Sequence, residues 1–220
     1  NRFLNDLFTD VFCAMPFLTF QINYRIIHLN HHKFSGSPKR DPEVANYQYQ
    51  RYFYSRQTGF ALWKMVFCDL VGINLLRAQW RALLYTLEMK KDGKARRIYV
   101  WEWGLFAAIW FGAGALTLHF DLLYEFFLFW LLPQLVFLFP LLKLHGYGEH
   151  TGATGPTEYE RTWVHDFNPI ANFFVYPIKS GYHLEHHLFP MIPWFNMERF
   201  RRALLQDKEF ARRSEKVTID

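Results

Sequence analysis

Apolar residues run along this chain in blocks, and the blocks differ mainly in how much charge interrupts them. Residues 3 to 20 are apolar but broken by Asp6, Asp10 and Pro16. That segment is too short and too charged to span a bilayer, so it predicts an interfacial or re-entrant helix. A helical pattern continues from Asn23 to Lys33 and is stopped by Gly36, Pro38 and Pro42. Residues 59 to 88 keep apolar positions at helical spacing yet carry Lys64, Asp69, Arg77, Arg81 and Glu88. Helices lying on a membrane, rather than crossing it, fit that mixture.

Two blocks are different. From Tyr99 to Phe120 the only charge is Glu102, near one end, and from Phe126 to Leu142 there is none, although Pro133, Gln134 and Pro140 interrupt. Both predict transmembrane helices. Their connection holds Asp121 and Glu125 but no Lys or Arg, whereas the outer flanks carry Lys90, Lys91, Lys94, Arg96, Arg97 and, beyond the second block, Lys143. The positive-inside rule then puts both ends of the hairpin in the cytoplasm. Residues 151 to 168 are polar and loop-like, 169 to 178 are apolar, and 194 to 213 form a basic amphipathic tail. The expected fold is all-α: one domain over residues 1–220, with interfacial helices in 1–98, a transmembrane hairpin in 99–144 and a cytoplasmic helical metal-binding cap in 145–220.

Composition sharpens the membrane reading. A hydrophobic fraction of 51% with 24 Phe and 8 Trp is more than a core of this size needs. The net charge of +5 sits in short clusters beside apolar runs and no nucleic-acid motif accompanies it, so a membrane surface is expected and nucleic acid is not. Cys13 and Cys68 are too few for a disulfide framework or a thiolate metal site, which leaves the 10 histidines as the supply of ligands.

Those histidines are not scattered. His28, His31 and His32 repeat the spacing of His183, His186 and His187, and on a helix i, i+3 and i+4 share a face. Chance gives roughly 0.02 such triplets in a chain of this composition, so two copies are not accidental. Imidazole binds Zn, Cu, Fe or Ni, and six histidines in two triplets exceed what one tetrahedral ion needs; two metal ions are the economical reading. The zinc-hydrolase patterns H-E-x-x-H and H-x-x-E-H are absent.

The segments Tyr24 to His32, Asp41-Pro42-Glu43 and Tyr182 to Pro190, with the later Pro193-Trp194, resemble the second and third histidine boxes of the membrane fatty acid desaturase superfamily. The resemblance covers nearly the whole chain. It implies that His150, in Glu149-His150, joins His28, His31, His32, His183, His186 and His187 as a metal ligand. His145, five residues earlier on a helix and about 140° away, is expected to be structural, as are His119 and His165. Asp41, Glu43, Glu149, Asp166 and Glu185 are the carboxylates expected to orient the ligands.

Membership would further imply two Fe ions, O2 as co-substrate, a lipid or acyl substrate, and electrons from a ferredoxin-type or cytochrome b5-type donor. The implied reaction is desaturation of an acyl chain. A hydroxylase or ketolase acting on a carotenoid or other lipid is the nearest rival, and a non-catalytic membrane protein with a structural metal site is the alternative from another class. The superfamily's first box of paired histidines has no counterpart in residues 1 to 27, and the chain starts at Asn1 without a signal peptide. A truncated chain, short of about two ligands and inactive by itself, is therefore expected.

Overall fold

A computed structural model describes residues 1–37, 39–43, 59–91, 100–150, 152–153 and 155–219, and it is mostly helical. Pro38 and the basic linker residues Lys94, Arg96 and Arg97 lie outside the described residues. The chain divides into two compact units, Asn1–Lys33 with Thr58–Pro140, and Phe34–Gln57 with Leu141–Asp220.

In the first unit, α1 (Arg2–Thr9) starts where the Asn1 side chain accepts from the Phe3 amide at 3.0 Å. The helical path widens over Asp10–Ala14 and tightens over Met15–Phe17 around Pro16. It ends at Leu18, in the left-handed conformation at φ 61°. α2 (Gln21–Phe34) then leaves at 93° to the preceding segment. Asp10 fixes that bend, because its Oδ1 accepts from the Gln21 amide at 2.7 Å and so caps the next helix. Arg25 grips both oxygens of Asp6, at 2.6 and 3.1 Å, across the same corner.

α3 (Phe60–Leu70) and α4 (Ile73–Lys91) follow, joined by Asn74, whose amide donates to the buried Asp69 at 2.6 Å. α5 (Val100–His119) supplies Leu105, Phe106 and Ile109, which pack with Tyr85 against Met15, Phe20, Ile22 and Ile26 to make this unit's core. α6 (Leu123–Phe126) runs on through wide π-helical turns at Phe127–Leu131 and Gln134–Leu138. Pro133 interrupts this stretch and Pro140 closely follows it. Each removes an N–H and crowds the carbonyl one turn back, which a wider turn relieves.

Among the described residues, one helix, Leu123–Leu142, is long and apolar enough to cross a membrane. The pair Arg2–Phe17 and Gln21–Phe34 passes the same test only if counted together as a single bent span. α5 has 20 residues, with the buried Glu102 in its first turn.

In the second unit, α7 (Phe139–His150) leads to the short α8 (Glu158–Arg161), closed by a reciprocal cap between Thr157 and Glu160. β1 (Val164–His165) pairs in parallel with β2 (Thr218–Ile219), a bridge that the all-helical expectation did not contain. α9 (Pro169–Phe174), α10 (His183–Leu188), α11 (Trp194–Leu204) and α12 (Lys208–Glu215) complete it. Its core is Val164, Tyr182, Leu184, Met197 and Phe210. The basic amphipathic tail of residues 194 to 213 is thus two helices, broken before Asp207, which caps α12 through Phe210 at 2.8 Å. Their inner faces cover protein core, because Met197 and Phe210 are buried in it.

Candidate metal centre

α10 is short because Pro190 follows it, and it is buried on more than one side: Leu184 enters the core, and His183, Glu185 and His187 are buried as well. The His183 and His187 rings lie 4.5 Å apart, whereas His186 stands 5.9 and 6.1 Å from them and is less buried. From the end of α7, His150 comes within 4.6 Å of His183 and 5.1 Å of His187, ring centre to ring centre. Ring nitrogens of His150, His183 and His187 all lie within 4.8 Å of one another.

Each of these rings has an oxygen behind it. His183 Nδ1 lies 2.9 Å from Glu149 Oε1, His187 Nδ1 2.9 Å from Glu158 Oε2, and His150 Nδ1 2.8 Å from the Arg161 carbonyl. An acceptor at Nδ1 holds the proton there and leaves the Nε2 lone pair to point inward. The consequence is physical: Nε2 of His150 and Nε2 of His183 meet at 2.9 Å. Two lone pairs at that separation repel unless they share a proton or a cation. Two imidazole nitrogens bound to one ion at about 2.0–2.1 Å and roughly a right angle apart stand about 3 Å from each other. The residues present therefore fit an imidazole-bound metal ion.

Glu149 does more than touch His183, since its Oε1 also lies 2.9 Å from His145 Nε2. Burial by itself pushes the Glu149 carboxyl up, but His183 and His145 outweigh it and hold it well below the usual carboxylate range. For His145, burial opposes the charged form, yet Glu149 and the Val175 carbonyl raise its pKa overall. With Nδ1 on the Val175 carbonyl at 2.9 Å and Nε2 on Glu149, both nitrogens of His145 face acceptors, which makes it a donor and not a ligand.

His165 donates from Nε2 to the Gly148 carbonyl at 2.7 Å and stacks on Tyr176 at 4.5 Å and 10°. Burial pushes the Tyr176 hydroxyl up to about 12. His119 packs against the edge of Phe120 at the end of α5. All three histidines thus have structural surroundings.

In the other unit, α2 carries His28, His31 and His32, with the latter two in its last turn. Nε2 of His28 and Nε2 of His32 lie 3.1 Å apart, Tyr24 stacks on His28, and His31 is buried.

The expected carboxylates need correction. Glu149 orients a histidine, but Glu185 points away from the rings and pairs with Arg201. Asp41 accepts from the Gly36 and Glu43 amides and shapes the turn after α2. Glu158, which supports His187, was missed. Its sequence context, Thr157-Glu158-Tyr159-Glu160, reads only as a helix start, and no local signal marks it.

A helical protein with a histidine cluster able to bind a metal is the class that this geometry defines. Within that class, the chain belongs to the fatty acid desaturase family, which matches residues 1–215. It is 28% identical over 221 residues to dihydrorhizobitoxine desaturase of Bradyrhizobium elkanii, an alignment that takes in 96% of this chain. The chain spans 61% of the length of that relative. No solved structure matches it.

Proposed function

We propose that this protein is a membrane-bound, O2-dependent diiron desaturase that introduces a double bond into the acyl chain of a lipid. The observation that carries the reading is the inward-facing trio of His150, His183 and His187, in a chain of the fatty acid desaturase family. The proposed ligands are His28, His31, His32, His150, His183, His186 and His187, on the cytoplasmic side. Two iron ions held there would supply oxidation of an unactivated C–H bond by O2, with electrons from a ferredoxin-type or cytochrome b5-type donor.

The chain's own residues do the holding. Glu149, Glu158 and the Arg161 carbonyl keep the Nδ1 protons of three imidazoles away from the ions. Near-complete burial of His183 and His187 keeps water from competing for the same nitrogens. A Phe- and Trp-rich interior would suit an apolar chain held at a fixed register with water excluded.

A second reading concerns the substrate alone. The relative is named for desaturation of dihydrorhizobitoxine, which favours testing substrates other than membrane lipids as well. The test is product analysis of the full-length protein expressed in a host of defined lipid composition, under labelled O2. New double bonds in acyl chains are expected. Oxygenated lipids carrying the label would assign a hydroxylase or ketolase instead, and unchanged lipids with zinc as the only bound metal would leave a structural site.

A further inference from the structure

We propose that Glu158 is the positioning residue of His187, and that the single turn Glu158–Arg161 aims two ligands of the centre at once. The inference rests on the metal-centre reading above. Glu158 Oε2 lies 2.9 Å from Nδ1 of His187, whose side chain is 1% exposed, so water has little room to replace the carboxylate. The same oxygen receives the Ser35 hydroxyl at 3.1 Å, while Oε1 faces Arg161 Nη1 at 3.6 Å. The carboxylate is thus held from two further sides, and its direction is set before any ion arrives.

Arg161 connects this arrangement to the second ligand. Its guanidinium donates to the carbonyls of Ser35, at 3.0 Å, and Gly155, at 2.8 Å, while its own carbonyl accepts from His150 Nδ1. The turn is closed by the Thr157–Glu160 cap and by the Thr162 hydroxyl on the Glu158 carbonyl at 2.7 Å. Glu158 contributes charge as well as direction. An anion behind an imidazole raises the basicity of the nitrogen that faces the metal, and changing such partners costs about 10–100-fold in metal affinity.

The experiment reads metal directly. Full-length protein is purified in detergent, its iron is counted by mass spectrometry, and the rate of iron loss to a chelator is followed. E158A is expected to lose iron about 10–100-fold faster than the parent protein. E158Q, which keeps an acceptor oxygen without the charge, should fall between them. E160A, which opens the cap but leaves Glu158 intact, should retain iron. Parent-like retention in E158A alongside iron loss in H187A overturns the role of Glu158 and leaves the diiron reading standing. Full retention in H187A overturns the reading itself and this proposal with it. Equal loss in E160A and E158A reduces Glu158 to a part of the turn, which also overturns the proposal. Should E158A not fold, E158Q decides: faster loss than the parent supports the role, and equal loss ends it.

Discussion

Gly148 sits on α7 next to Glu149 and leaves no room for a side chain. A Cβ there would overlap the Tyr176 hydroxyl and stand 3.1 Å from His165 Nε2. Gly148→Ala is therefore expected to displace the Tyr176–His165 stack and to cost about 1–3 kcal/mol by overpacking. Tyr176→Phe in the same chain, which removes the hydroxyl but keeps the ring, should recover part of the loss. Thermal unfolding of the single and double variants checks this, and an unchanged melting point for Gly148→Ala would contradict it. At this scale the sequence was legible where residue identity is the signal. Histidine spacing marked the proposed ligands, and Glu149 was visible because it adjoins His150. Glu158 is 29 residues from His187 along the chain, and nothing local marks a partner brought in by folding.

Between elements, the contact that stands out is the buried pair of Glu185 and Arg201, which ties α10 to α11. Glu185 has no exposed surface, its Oε2 has no hydrogen-bond partner among the described residues, and burial pushes its carboxyl up despite the nearby guanidinium. Breaking such a pair from one side leaves an uncompensated charge and costs about 3–5 kcal/mol, whereas replacing both partners with apolar residues is close to neutral. Arg201→Met should accordingly lower stability by about that amount, and adding Glu185→Leu should restore most of it. Denaturant unfolding measures both, and equal stability of the single and double variants would refute the account. The amphipathic period of the tail was plain in the sequence. What covers it was not, because periodicity reports an apolar face without naming its partner.

For the whole molecule, orientation in the membrane is what surface labelling reads. Leu123–Leu142 has the length and apolarity of a span. A hairpin with cytoplasmic ends would place the turn at Asp121 on the far side of the membrane. With Cys13 and Cys68 replaced by Ser, an Asp121→Cys variant should react with an impermeant maleimide on intact cells. A cysteine placed at Asp207 should react only after lysis. Labelling in the opposite order would reverse the topology and move the histidine clusters to the other face.

The sequence by itself determined the helical class, the apolar blocks, the two histidine triplets and their resemblance to a desaturase, because each is a matter of residue type and spacing. Only the tertiary structure decided that Glu158 and the Arg161 carbonyl hold the rings of His187 and His150, and that Glu185 serves Arg201 instead. Those outcomes depend on where separate segments meet. Helical period fixes a direction around one axis but carries no information about what lies across the gap.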